Sequence, residues 1–148
     1  MERRESDCMK MKVKDARQAY AIVRKLGSQS ISSELRNKMI HNTVETKKAQ
    51  KMMDELVKDL QENMTEAEKA AMEVIGGYEA RGERVPEDKM GELDLVRGFN
   101  KILKKEMGGL DEKEIEVDYT PITTEERDKL CENNTLTFDE LAVLEELK

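Results

Sequence analysis

The sequence predicts a mainly α-helical protein, and three observations carry that prediction. Apolar residues recur at helical spacing along most of the 148-residue chain. No Gly or Pro lies between residues 28 and 75, so one helix in that stretch is long. Only the segment 114–119 alternates apolar and polar residues as a half-buried strand does. We therefore expect a helical hairpin with one long, coiled-coil-like helix, further short helices and one short C-terminal β-strand.

Boundary residues divide the chain into elements. The first helix begins at Val13 and is expected to end at Gly27 in a left-handed cap. Two capping boxes, at residues 65–68 and 137–140, predict further helix starts. The glycine pairs 76–77 and 108–109 predict helix ends. The resulting segments are a disordered leader over 1–10, a helical hairpin with the long helix over 11–75, a Gly-rich loop over 76–91 and an acidic helix-strand-helix region over 92–148.

The long helix carries a seam of residues with unbroken 4-3-4-3 spacing. The seam comprises Leu35, Met39, Asn42, Thr46, Ala49, Met53, Leu56 and Leu60. Polar seam residues can fix register and oligomeric state in coiled coils. The first helix is about half as long and cannot cover the whole seam, so we expect a homo-oligomer formed through the uncovered part. Simple packing of the seam against the first helix is an alternative that is compatible with self-association.

Charge is distributed unevenly along the chain. The formal net charge is −7, and residues 111–148 hold 13 acidic but only 4 basic side chains. This acidic region predicts a partner with a basic surface. In the first half, acids and bases alternate at helical spacing, as in Glu34 and Lys38, which predicts neutralised helix surfaces. We therefore expect no nucleic-acid partner.

The predicted strand presents an acidic face. Glu114, Glu116 and Asp118 share that face, with about 7 Å between neighbours. This spacing is too wide for one divalent cation unless other oxygen atoms converge on it. The solvated face of a strand explains the same pattern, and we expect no metal here.

The Gly-rich segment contains the one candidate site for a small ligand. Arg81 and Arg84 could bind a phosphate group, and Tyr78 could stack on a base. The segment lacks the Gly-Lys-Ser/Thr of a phosphate-binding loop and a surrounding βαβ unit. An ordinary flexible loop is the alternative interpretation.

No constellation of residues predicts catalysis. His41 is the only histidine, and it lies within the long helix beside the seam, where a structural role is expected. One His and two distant Cys form no zinc site. We expect no catalytic residue, metal or cofactor, and hence no enzyme. No apolar run approaches the roughly 20 residues of a membrane span, and no secretion signal follows Met1, so a cytoplasmic protein without a membrane partner is expected.

Four sequence segments and the order of the predicted elements are similar to a known family pattern. The chain has Met-Lys-x-Lys at 11–14, Gly-Phe-Asn-Lys-Ile-Leu-Lys-Lys at 98–105, the acidic strand at 114–119, and Leu-Thr-Phe-Asp-Glu-Leu-Ala-Val-Leu-Glu at 136–145. In pattern it resembles small acidic helical accessory proteins of tailed phages and prophages, a family of largely unknown function. The resemblance implies a bacterial host cell and a phage protein that binds and antagonises a host defence or regulatory protein. Two alternatives stay open: an oligomeric sponge that sequesters a nucleotide signal, and a structural or assembly component of a phage particle.

Overall fold

The computed structural model describes residues 8–26, 31–132 and 136–147. The described chain is mainly α-helical, which confirms the predicted fold class. Its elements are β1 (Met9–Lys12), α1 (Val13–Lys25), α2 (Ser33–Glu62), α3 (Glu66–Ala80), α4 (Met90–Asp111), β2 (Glu114–Val117), α5 (Thr124–Glu132) and α6 (Phe138–Glu146), with a single 3-10 turn over Glu87–Lys89. None of the described helices is long and apolar enough to cross a membrane.

The chain forms two compact units. Unit 1 contains residues 1–52 and 111–148, and unit 2 contains residues 53–110. The long helix α2 contributes its first part to unit 1 and the remainder to unit 2. This organisation differs from the four consecutive segments predicted, because the two ends of the chain fold together.

The strand β2 finds its partner within the chain. β1 and β2 form an antiparallel pair in which Met9 lies opposite Val117 and Lys12 lies opposite Glu114. The predicted leader over 1–10 is therefore wrong for Met9 and Lys10, which belong to the sheet, while residues 1–7 lie outside the described part. The leader has no helical period because it contains a short strand, and four residues are too few to show a clear alternation.

The core of unit 1 collects apolar residues from both ends of the chain. Val13, Ala16 and Val23 of α1 are buried together with Val117 and Leu144. The predicted first helix and the capping box of the last helix are both confirmed, because α1 spans Val13–Lys25 and Thr137 caps α6. The predicted cap at Gly27 lies outside the described residues.

Unit 2 is built from α3, α4 and the last residues of α2. Its buried cluster is small and comprises Ala71, Ile75 and Val96, with Met72, Val85 and Leu93 packed against it. The capping box predicted at Thr65 is confirmed, since the Thr65 side chain accepts from the backbone N–H of Glu68. The helix that begins there is longer than predicted.

The predicted helix end at Gly76 and Gly77 is wrong. α3 continues through both glycines to Ala80, and Arg81 is its C-cap. Gly82, the next residue, has a φ of +66°, the left-handed conformation that commonly follows the C-terminus of a helix. The backbone N–H of Gly82 donates to the carbonyl of Glu79, and that of Glu83 donates to Tyr78, as in a Schellman motif. The predicted loop over 76–91 therefore shortens to a few residues around this turn.

The predicted helix end at Gly108 and Gly109 is also wrong. α4 continues through both residues to Asp111, and Gly82 is the one glycine in the described chain with a positive φ. The Asp111 carboxylate then accepts a hydrogen bond of 3.0 Å from Arg17. A glycine pair within a helix lowers its stability but does not by itself end it, because the end requires the left-handed backbone.

Candidate binding surfaces

The residues of the predicted nucleotide site lie at the end of α3. The Arg81 guanidinium is centred 4.9 Å from the Tyr78 ring centroid, within cation–π range. The Arg81 Nε atom also lies 3.1 Å from a Glu83 carboxylate oxygen. A phosphate group at Arg81 would have to compete with Glu83, and a base at Tyr78 would have to compete with Arg81. Arg84 is exposed, and the structure brings it into no described contact with the other two.

The seam of α2 is covered by the chain's own residues along most of its length. Six seam residues are buried, namely Leu35, Met39, Asn42, Thr46, Ala49 and Met53. Leu56 and Leu60 are half-buried. The prediction that an uncovered seam drives oligomerisation is therefore wrong for the six buried residues, because contacts within one chain already remove them from solvent.

The polar seam residues have a structural role that the coiled-coil interpretation did not anticipate. The Asn42 side chain donates to the Thr120 carbonyl at 2.8 Å and accepts from the Thr120 N–H at 2.7 Å. The Thr46 hydroxyl donates to the Asn42 carbonyl one turn earlier, at 2.7 Å. The Asn42 side chain therefore satisfies the backbone N–H and C=O groups of Thr120, as a neighbouring strand would, and it fixes the segment after β2 against α2.

The single histidine belongs to the same junction. His41 Nε2 lies 2.8 Å from the Asp118 carbonyl and 3.2 Å from its carboxylate. The Asp118 N–H donates to Glu45 at 3.1 Å. Burial acts to raise the pKa of Glu45, but the hydrogen bonds from Lys48 and from the Asp118 N–H outweigh it and hold that pKa below its usual value. The contacts of His41 join α2 to the end of β2, which is a structural arrangement.

The acidic face of β2 is opposed by lysines. Glu114 and Glu116 are exposed, and across the sheet they lie opposite Lys12 and Lys10. Just before the strand, Glu112 binds both Lys12 at 2.7 Å and Lys14 at 2.8 Å, and these hydrogen bonds lower the pKa of Glu112 to about 2. Within the described residues, no group of three or more His, Cys, Asp or Glu side chains is placed to hold a metal ion.

Folding brings the basic beginning of the chain onto its acidic end. Residues 1–52 carry 13 basic and 6 acidic side chains, and residues 111–148 carry 4 basic and 13 acidic ones, so unit 1 has a net charge of only −2. Several of the acidic side chains are engaged by bases far away in the sequence, as in the pairs Lys38–Glu126, Arg17–Asp111 and Lys25–Glu140. The acidic region is thus largely matched by charge within the same unit.

The outer face of α4 in unit 2 is the surface that the sequence analysis missed. We define this face by residues spaced 4-3-4-3-4 along the helix, all of them exposed: Gly91, Leu95, Gly98, Ile102, Lys105 and Gly109. Leu95 is 40% exposed and Ile102 is 53% exposed. The core side of the same helix is formed instead by residues such as Val96 and Phe99.

A row of bases borders the outer face of α4. The row comprises Arg97, Lys101 and Lys104, and it meets the outer face at Lys105, which belongs to both; all four bases are exposed, and their spacing places them along one side of the helix. Within the described chain, none of the four forms an ion pair, whereas the rest of unit 2 is acidic enough to give it a net charge of −5. The N-terminal end of the outer face opens on a groove of about 420 Å³ that α3 lines with small residues such as Ala67 and Ala70.

Unit 1 also has an apolar groove, which lies between α1 and α2. It has a volume of about 250 Å³ and is lined by Val23, Arg24, Leu26, Ile31, Arg36, Met39, Ile40, Thr43 and Val44. Ile40 and Val44 are 57% and 59% exposed. They lie one turn apart on α2, next to the buried seam.

Comparison with protein-family models, with curated proteins and with solved structures finds no match to this chain.

Proposed function

We propose that the protein is a non-enzymatic binding protein that holds an acidic amphipathic helix of a partner protein on the outer face of α4. The observation that carries this proposal is the combination of exposed Leu95 and Ile102 with a bordering row of unpaired bases. Apolar residues at this spacing form the seam of a helix–helix contact. Unpaired bases beside the seam select carboxylates on the partner.

The glycines of the outer face support a close helix contact. The outer face contains Gly91, Gly98 and Gly109, and a glycine in the interior of a helix, as at Gly98, costs about 1 kcal/mol relative to alanine. An added Cβ at any of the three would meet no atom within 4 Å, so packing within the chain does not explain them. The absent side chain of Gly98 allows the backbone of a second helix to approach α4 closely between Leu95 and Ile102.

The same features favour a protein over a nucleic acid as the partner. A nucleic-acid surface requires basic residues to follow the phosphates, and its affinity comes mainly from those contacts. Here the basic row contains four residues on one helix and borders an apolar stripe, in a unit with a net charge of −5. Burial of an apolar stripe against a protein helix is favourable, whereas a phosphate backbone would leave the stripe exposed to water.

The phage resemblance supplies the biological setting of the proposal. In that setting the partner is a host defence or regulatory protein, and the binding protein antagonises it by covering a functional helix. The charge of the expected partner differs from the one inferred from composition: the partner segment is acidic, because the unpaired bases of α4 are available and the acidic region of unit 1 is matched internally.

The proposal is tested with a fluorescein-labelled model helix that carries a leucine seam flanked by glutamates. We expect wild type to bind this peptide in an anisotropy titration, with an affinity that decreases as salt rises. The double reversal Lys101→Glu/Lys104→Glu should weaken binding roughly tenfold or more. The matched control, Lys47→Glu/Lys51→Glu on exposed positions of α2 in unit 1, should leave binding unchanged.

A second variant separates loss of binding from loss of folding. Gly98→Leu adds a side chain where no atom lies within 4 Å and removes a helix glycine, so the fold should become slightly more stable. The leucine would keep the backbone of a partner helix away from α4, and binding should be lost. Unchanged binding by Gly98→Leu, or binding of a DNA duplex in preference to the peptide, would contradict the proposal.

A further inference from the structure

Unit 1 exposes an aromatic ring that its own fold does not use. Phe138 is the first residue of α6 and is 88% exposed. Leu136 and Leu141, which flank the start of this helix, are both buried in the positions of a hydrophobic staple. The start of α6 is therefore fixed by Thr137 and by these leucines, while Phe138 extends into solvent.

The apolar groove between α1 and α2 has the size for one such ring. Its volume of about 250 Å³ lies below the roughly 300–1,000 Å³ of pockets that hold a whole small molecule. A single aromatic side chain fits a site of this size and gains from contact with Leu26, Ile40 and Val44.

The ring and the groove lie at the same end of unit 1. Lys25, in the last turn of α1, pairs with Glu140 in the first turn of α6. Phe138 lies two residues before Glu140, and the groove residues Arg24 and Leu26 lie on either side of Lys25 in the sequence. A ring that neighbours a groove on one molecule is the arrangement a two-fold dimer needs, because each ring can then fill the groove of the other copy.

Charge favours this arrangement over direct pairing of the two α2 helices. Asp139 is exposed next to Phe138, and the lining of the groove includes Arg24 and Arg36. In a pairing of α2 with α2 across Ile40 and Val44, the bases on the same stripe, Arg36, Lys47 and Lys51, would face copies of themselves.

We propose that two copies of the chain form a two-fold dimer in which Phe138 of each copy occupies the α1–α2 groove of the other. Asp139 of one copy then faces the arginines that line the groove of the other. This interface is in unit 1 and does not depend on the outer face of α4, so either proposal can fail without the other.

Sedimentation equilibrium on the full-length protein tests the dimer. Wild type should show a concentration-dependent dimer, and Phe138→Ser and Val44→Glu should each raise the dimer dissociation constant by about 100-fold or more, because symmetry removes each contact twice. Both side chains are exposed in the single chain, so thermal unfolding by circular dichroism should match wild type at protein concentrations well below the wild-type dimer dissociation constant, where no dimer stabilises the fold. Ile102→Glu on α4 is the matched control and should dimerise like wild type.

Mixing the two variants makes the test specific. Phe138→Ser keeps the groove and Val44→Glu keeps the ring, so native mass spectrometry of the mixture should show a heterodimer held by one intact contact, while each variant alone is monomeric. Wild type that stays monomeric at the highest concentration, or a Phe138→Ser variant that dimerises like wild type, overturns the proposal. A Val44→Glu variant that dimerises like wild type also overturns it, because Phe138 would then not occupy this groove.

Discussion

The two units of this protein use charge in different ways. In unit 1, ion pairs such as Lys38–Glu126 and Arg17–Asp111 join residues nearly one hundred positions apart. In unit 2, the described ion pairs, such as Lys58–Glu62 and Lys69–Glu66, join residues within one helical turn. Local pairs on exposed helices contribute little to stability, and they leave the bases of α4 unpaired. The segment with the largest net charge in the sequence, residues 111–148, is therefore matched by bases of its own unit, and the unpaired charges lie instead on α4 of unit 2.

The two units also differ in what positions their elements. Unit 1 contains fully buried polar side chains, Asn42 and Thr46, whose hydrogen bonds fix the segment after β2. Unit 2 has a small apolar cluster around Ala71, Ile75 and Val96. Unit 1 should therefore be sensitive to the loss of a single polar group, and unit 2 should respond mainly to changes in helix propensity.

The largest expected effect is at the Asn42 junction. Asn42→Ala removes two hydrogen bonds to the Thr120 backbone inside a buried site, which should lower the free energy of unfolding by about 2–3 kcal/mol. Urea denaturation followed by circular dichroism measures the change. Asn37→Ala, at an exposed position of the same helix, should change it by less than about 0.5 kcal/mol. A loss below about 1 kcal/mol for Asn42→Ala would show that the junction does not organise unit 1.

The Asn42 junction marks where sequence reasoning reaches its limit. The seam, the capping boxes at Thr65 and Thr137 and the strand at Glu114 were predictable, because each depends on residues within a few positions. The partner of Asn42 lies 78 positions away. A polar residue in an apolar seam indicates a specific contact, but its spacing does not reveal whether the contact is with another copy or with a distant segment.

A matched pair of glycines tests the helix end in unit 2. Gly82→Ala places a side chain at φ +66° and should destabilise the protein by about 1–2 kcal/mol. Gly76→Ala, inside α3 with open space around the added Cβ, should stabilise it by about 0.5–1 kcal/mol. Thermal unfolding of the two variants should thus shift in opposite directions. If Gly76→Ala lowers the stability, with or without a loss in Gly82→Ala, then Gly76 has the left-handed backbone of a helix end and α3 does not continue through it.

The smallest effect concerns pH and the Glu126 carboxylate of unit 1. Burial acts to raise the pKa of Glu126, but hydrogen bonds from Lys38 and from the Thr123 N–H outweigh it, so the folded pKa lies below the usual 4.5. A lowered folded pKa stabilises the fold above pH 4.5, and the stabilisation is lost as the pH falls towards the folded value. Glu126→Gln should cost about 1 kcal/mol at pH 7, and this cost should decrease as the pH is lowered below 4.5. A cost that stays constant from pH 7 to pH 3 would contradict this account of Glu126.

The candidate binding surface was partly visible in the sequence. Arg97, Lys101, Lys104 and Lys105 occur at helical spacing, and this pattern could have indicated a basic helix side. The net charge of −7 and the acidic region over 111–148 indicated a basic partner instead. Whether a charge is matched depends on its neighbours in space, and Lys10 and Lys12 come next to the acidic strand only through the pairing of β1 with β2.

The central claim is that a partner meets the bases of α4 and not the acids of β2. An anisotropy titration with two labelled model helices tests this claim; one helix is flanked by glutamates and the other by lysines. The titration is carried out on wild type, on Lys101→Glu/Lys104→Glu and on Glu114→Lys/Glu116→Lys. We predict that wild type binds the glutamate-flanked helix, that the α4 reversal weakens this binding roughly tenfold or more and that the β2 reversal leaves it intact. Preferential binding of the lysine-flanked helix, lost in Glu114→Lys/Glu116→Lys, would contradict the claim and restore the acidic strand as the binding surface.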